Sequence, residues 1–241
     1  MKTGQLEYRG REGKRFVGYL AMPDQPEGPA VLLAHNAPGV TDFERAIAQR
    51  LAGLGFIVLC ADYIGNGEVL AMAAIGPRLG RAIADTTLIR DAITAGFSAL
   101  IAQPGVDAGK VAAIGYCLGG AAVLELACGG AAVAAVVGFH SSLPVNRPED
   151  NRNIKGKVLI QTGAADPMVP PDIRTTFEAQ MNEAGVDWRM ILYGRVLHAF
   201  TVPGAKAYGM PGLRYDHGAD ERSWRAMLDL FEESIGKPAS C

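Results

Sequence analysis

Six short apolar runs punctuate the chain: "AVLLAH" (Ala30 to His35), "FIVLCAD" (Phe56 to Asp62), "VAAIGY" (Val111 to Tyr116), "VAAVVGF" (Val133 to Phe139), "VLIQTG" (Val158 to Gly163) and "DWRMILY" (Asp187 to Tyr193). Rich in Val, Ile and Leu, they predict parallel strands covered on both faces. Between them, apolar residues recur at helical spacing over Asp42 to Leu54, Arg81 to Ile101, Leu118 to Cys128, Asp172 to Ala184 and Asp220 to Ile235. Strand alternating with helix predicts an α/β fold, a mostly parallel central sheet with helices on both faces. Ahead of this pattern, "LEYR" and "FVGYLAMP" flank the turn-forming "GREGK" and predict an N-terminal antiparallel hairpin. No linker, repeat or low-complexity tract interrupts the alternation, so one α/β domain over residues 1–241 is expected.

Two segments escape the pattern. Tyr63 to Gly80 and Val202 to Gly218 are glycine-rich with scattered apolar residues, and they read as loops. Loops at the carboxyl ends of strands border the ligand crevice of such sheets, which makes both candidate substrate walls. The stretch Ala121 to Phe139 is nearly all apolar and long enough to span a membrane, but Glu125 and the Gly129-Gly130 pair break it. It reads instead as a buried helix followed by a buried strand.

Charge narrows the partners. The formal net charge of -2 is spread without blocks, so there is no basic stripe for nucleic acid and no polybasic membrane patch. A small-molecule substrate is expected, bound by a monomer or homodimer. The four cysteines, Cys60, Cys117, Cys128 and Cys241, form no C-x-x-C pair and no short Cys/His cluster for zinc, which suits a reducing compartment. The charged, glycine-broken N-terminus lacks the apolar core of a secretory signal, and a cytoplasmic protein is expected.

The chemistry centres on "AAIGYCLGG" (Ala112 to Gly120), where Cys117 sits between a predicted strand and a predicted helix. A G-x-[Ser/Cys]-x-G turn in this setting is a nucleophile elbow, and the N-terminus of the following helix favours a thiolate. The plainer alternative is a small cysteine in a tight packing turn. An elbow requires an acid and then a histidine, each after a later strand. Asp166 in "TGAADPMVP" and His198 in "YGRVLHAF" occupy those places. Taken singly, Asp166 could cap the helix near Asp172 or brace the Pro167 turn, and His198 could be an ordinary loop histidine. Oxyanion donors are expected at the backbone N–H groups of Leu118 and of Ala37, in the loop "LLAHNAPGV" (Leu32 to Val40). His35 is expected to be a hydrogen-bonded structural histidine, His140 a possible pocket neighbour, and Phe200 a substrate contact.

These motifs, with "ADYIGNG" and the closing "ADERSWRAMLDLF", resemble the dienelactone hydrolase family of the α/β-hydrolase fold along nearly the whole chain. The resemblance implies hydrolysis of lactones or small esters with no metal or cofactor. It places the triad at Cys117, Asp166 and His198, and the oxyanion donors at Leu118 and Ala37. Two positions depart from the family's pattern. Asn36 stands where a thiol-activating glutamate is expected, and Val202 stands near the place of a carboxylate-binding arginine. Asn36, Arg78 and Arg81 then become the candidates for substrate contacts. The expected reaction is ester or lactone hydrolysis through a thioester. A noncatalytic ligand-binding relative and a thiol redox protein using the elbow cysteine are the alternatives.

Overall fold

The computed structural model describes residues 1–84, 86–143 and 147–238; for side chains, Met72, Arg78, Leu79, residues 82–84 and residues 86–87 are also outside the description. Asp85 and Cys241 therefore lie outside the described residues. Eight strands form one sheet: β1 (Lys2–Arg9), β2 (Arg15–Met22), β3 (Gly28–Ala34), β4 (Ile57–Ala61), β5 (Val106–Tyr116), β6 (Ala135–Phe139), β7 (Lys157–Gly163) and β8 (Trp188–Tyr193). Among the described residues six α-helices accompany them: α1 (Asp42–Gly53), α2 (Met72–Ala84), α3 (Thr86–Ile101), α4 (Leu118–Cys128), α5 (Pro171–Ala184) and α6 (His217–Ser234).

The sheet order is β1-β2-β4-β3-β5-β6-β7-β8. The expected hairpin is there, β1 against β2, and β2 joins β4 antiparallel. From β4 to β8 every pair is parallel. Side-chain alternation divides the core into two layers. Leu32 and Ala34 of β3, with Ile57 and Leu59 of β4, meet Ile93 of α3, Val123 of α4 and Phe177 of α5. Their neighbours Val31, Leu33, Val58 and Cys60 face Leu51 of α1 and Trp224 and Phe231 of α6. The period of two along the central strands thus supplies both faces of a doubly covered sheet, which is why those runs carry no polar side, whereas β8, expected to be covered as well, is an edge strand with Arg189 and Leu192 exposed.

Helix α4 is buried on all sides. It ends at Cys128 with Gly129 and Gly130, the latter at φ 85°, and the chain returns as β6, as the break in that apolar stretch predicts. Among the described residues no helix is long and apolar enough to cross a membrane.

The expected loop over Tyr63 to Gly80 requires correction, because α2 takes up Met72–Ala84 and the helix expected from Arg81 begins instead as the separate α3. Gly76 and Pro77 disguise α2 in the sequence. Pro77 removes one backbone donor from the helix, and the surrounding Ala, Ile and Leu residues carry the helix past it.

The chain runs from β3 to β4 on one side of β3, then crosses to β5 on the other. This reversal leaves the carboxyl ends of β3 and β5 side by side with their loops diverging, and that is where a doubly wound sheet opens a crevice.

Candidate active site

One residue separates β5 from α4. Cys117 turns the chain with φ 54° and ψ −115°, a backbone conformation that costs a non-glycine residue on the order of 1–3 kcal/mol. Its N–H donates to the Phe139 carbonyl at 3.0 Å, and its carbonyl accepts from Gly120 N at 3.1 Å and Ser142 N at 3.2 Å, so β6 and α4 hold the turn between them. The glycines explain themselves by distance. A Cβ on Gly115 would lie 2.0 Å from the Gly119 oxygen, one on Gly119 2.2 Å from the Ala34 oxygen, and one on Gly120 2.1 Å from Ser141 Oγ. "GYCLGG" is therefore the sequence of a helix start pressed against the ends of β3 and β6.

Two later loops bring Asp166 and His198. After β7, Asp166 is 3% exposed; its Oδ1 accepts from Met168 N at 2.8 Å and its Oδ2 from His198 Nδ1 at 2.7 Å. The carboxylate thus braces the Pro167 turn and orients a histidine at once, while the helix cap near Asp172 falls to Pro170 with no side-chain bond. After β8, the His198 loop is pinned by His198 N to the Gly212 carbonyl at 3.1 Å and Arg214 N to the His198 carbonyl at 3.0 Å. With Nδ1 committed to Asp166, Nε2 makes no well-formed hydrogen bond and is the nitrogen available to Cys117.

Burial by itself would lower the His198 titration, but the Cys117 sulfur and the Asp166 carboxylate outweigh it and raise it to about 10. A folded-state value above the ordinary 6.5 means that the stability this contributes is fully present below about pH 6.5 and is lost as pH rises toward 10. Both Cys117→Ala and Asp166→Asn are expected to lower the His198 titration, as followed by NMR of the ring protons. A value unmoved in both variants would contradict this assignment of causes.

The third side of the site is the loop after β3. Glu44 of α1 is fully buried; its Oε1 accepts from Asn36 N at 3.0 Å, and its Oε2 accepts from Thr41 N at 2.9 Å and from the Thr41 hydroxyl. This is a capping box at the start of α1, extended by one bond to the loop that carries Ala37. Among the described residues, neither the Ala37 N–H nor the Leu118 N–H donates to another group. Glu44→Ala is expected to cost roughly 2–4 kcal/mol, because it strands buried donors, and to lower kcat by loosening Ala37. Thermal unfolding and kcat measured on one preparation check both effects.

Between these loops lies a cavity of about 310 Å³ with Cys117, His198, Asn36 and Ala37 on its lining. Both glycine-rich segments contribute walls: Ile75 and Gly76 from α2, and Val202, Tyr208, Met210 and Leu213 from the later segment.

The model of the dienelactone hydrolase family matches residues 16–235. The chain belongs to that family. A carboxymethylenebutenolidase from Pseudomonas sp. (strain P51) is 32% identical over 188 residues, covering 72% of this chain and 75% of the relative. The solved structure of P91, a dienelactone hydrolase-like promiscuous phosphotriesterase from metagenomic libraries, superposes with a TM-score of 0.94 at 36% identity, covering 98% of this chain and 99% of P91. The solved structure of a protein from Klebsiella pneumoniae, at 21% identity and a TM-score of 0.79 over 96% of this chain and 98% of its own, shares the fold. This dienelactone hydrolase family member is a hydrolase of carboxylic esters or lactones.

Several expected contacts of the hydrolase are placed elsewhere. Phe200 is fully buried beneath the site among Tyr193, Val196 and Ala219, because the His198 loop turns it inward, and it does not line the cavity. Arg81 is exposed on α2 and is not on the lining, and the Arg78 side chain lies outside the described residues. His140 is also not a pocket residue: it is fully buried behind His198, with ring centroids 4.9 Å apart and Nε2 2.8 Å from Thr201 Oγ1. Burial and the charge of His198 hold its titration well below the ordinary histidine value, so a neutral ring backs the loop. His35 is buried, stacked on Tyr63 at 3.9 Å and bonded through Nδ1 to the Asn36 carbonyl.

Glu44 escaped the sequence reading. Its signal was present as Thr41-x-x-Glu44, the capping-box spacing before a helix.

Proposed function

We propose that the protein hydrolyses small carboxylic esters or lactones through a thioester on Cys117, with His198 as general base and acid and Asp166 as its orienting carboxylate. The observation that carries the reading is the 2.7 Å bond from His198 Nδ1 to Asp166 Oδ2, in a ring whose other nitrogen is left to the sulfur at the sharp turn. His198 takes the thiol proton, Sγ bonds to the carbonyl carbon, and the negative oxygen rests on the N–H groups of Ala37 and Leu118. The carbon–oxygen bond to the alcohol then breaks, and the departing oxygen takes the proton from His198. Water, deprotonated by His198, attacks the thioester; the carbon–sulfur bond breaks, the acid leaves and the thiol regains its proton.

A thiolate is itself a good leaving group, with a parent thiol near pKa 8.5. The first tetrahedral intermediate therefore returns to substrate unless the alcohol is an enol or phenol. Aryl and enol esters are expected to turn over at least about 100-fold faster than ethyl esters of the same acid, as judged by kcat/KM. Comparable rates for ethyl esters would overturn the thioester mechanism.

The redox alternative lacks a partner thiol among the described residues. Cys128 lies at the far end of α4, about 16 Å along the helix from the turn, and Cys60 is buried within β4. The retained His198–Asp166 bond has no purpose in a noncatalytic binding relative, which argues against that alternative.

A further inference from the structure

The polar groups of the cavity gather on its floor, where Cys117, His198 and Asn36 meet. Asn36 is nine-tenths buried, and its Oδ1 has no hydrogen-bond partner. Apart from Tyr208, the walls above the floor are apolar: Pro38 from the loop after β3, Ile75 from α2, Met168 from the loop after β7, and Val202, Met210 and Leu213 from the segment after His198. No lysine or arginine lines the cavity among the described residues. Val202 is sealed against Ala199 and Ala205, so that wall is closed to a charged side chain from behind. Met168 and Met210 are 41% and 46% exposed and give the rim a flexible apolar lip.

The electrostatics work against an anion as well. Burial first, and then the Glu44 carboxylate and the Cys117 sulfur, raise the titration of Tyr208 in the wall. A carboxylate entering this space would lose its water, meet no lysine or arginine on the described walls and stand close to the attacking sulfur.

We propose that the substrates are neutral esters or lactones, with one polar carbonyl group set on the floor and an apolar body against the walls, and that the site discriminates against substrates carrying a carboxylate. The proposal rests on the hydrolase reading above. The volume of about 310 Å³ restricts the body to a small one, at the lower end of ligand sites.

Two esters of matched length decide the matter: 4-nitrophenyl pentanoate, whose acyl chain ends in a methyl group, and 4-nitrophenyl hydrogen glutarate, whose chain ends in a carboxylate. The pentanoate is expected to have a kcat/KM roughly 10- to 100-fold higher, the cost of an unpaired charge in an apolar site. Met210→Arg, which puts a cation on the rim, is expected to narrow that ratio by raising the rate with the glutarate ester. Equal rates, or a preference for the glutarate ester, would overturn the proposal while leaving the hydrolase intact. If that preference vanished in Arg78→Ala, the guanidinium would be the anion partner. Hydrolysis of neither ester by folded wild-type protein would bring down the hydrolase reading and this proposal with it.

Discussion

Replacing Cys117 by alanine is expected to reduce kcat/KM for an activated aryl ester by at least about 10,000-fold while leaving the fold in place. The size follows from what is lost. Without Sγ there is no covalent route, and His198 with the two N–H groups can at most assist a direct attack by water. Cys117 is only partly buried, so the truncation opens little space in the core. A thermal midpoint close to that of the wild type then separates lost chemistry from lost structure. Wild-type protein quenched during turnover of a slowly deacylating ester is expected to gain the mass of one acyl group, and the alanine variant none. Activity retained in Cys117→Ala would end the case for a cysteine nucleophile.

The second large effect concerns the turn itself. Gly119→Ala is expected to destabilise the protein by more than about 3 kcal/mol, lowering the thermal midpoint by roughly 10 °C, or to prevent soluble accumulation. The new Cβ would lie 2.2 Å from the Ala34 oxygen and 2.6 Å from the His35 oxygen. Those are backbone atoms at the end of a central strand, and no rotamer change can move them aside. Only a displacement of α4 relieves the clash, and it would carry Cys117 and the Leu118 N–H with it. Gly80→Ala provides the contrast: an added Cβ there meets nothing within 4 Å on a helix, and a neutral or slightly stabilising result is expected. Equal midpoints for the two variants would show that the close approach of α4 to β3 is not what makes glycine necessary.

Among the described residues six non-glycine positions carry positive φ, and three of them lie around the candidate site. Besides Cys117, His140 at φ 38° and Ala199 at φ 56° hold left-handed backbone without being glycine, and both flank His198, the first in space and the second in sequence. Such conformations persist only where surrounding bonds over-determine them. Here those bonds include His140 N to the Gln161 carbonyl at 2.8 Å and Val202 N to the Ala199 carbonyl at 3.0 Å. The end of the sheet that holds the candidate site is thus also where the fold tolerates least change.

The strands β3 to β7 were legible as uninterrupted apolar runs because burial on both faces leaves a local mark in composition. The turn at Cys117 was legible for a similar reason, since its glycines answer to contacts within a few residues or with the strand next door. Helix α2 was not, because Gly76 and Pro77 are local signals for a break and the apolar positions around them had to outweigh them. Phe200, two residues after His198, and His140, just after β6, were expected at the cavity, and neither lines it. Which way a loop side chain faces depends on what packs behind it, and that packing comes from β8, α6 and each other's rings.

By itself, then, the sequence determined the alternation of strand and helix, the glycine-framed cysteine, and the order of Cys117, Asp166 and His198 along the chain, since each is written in residue type and spacing. The tertiary structure decided the rest. It set β3 between β4 and β5, joined Asp166 to His198 across 32 positions of sequence, and turned Glu44 onto the Asn36 N–H. It also lined one cavity from five separated segments. These are relations between residues far apart in the chain, and they exist only once burial of the two apolar layers has fixed the sheet's order and brought the ends of its strands together.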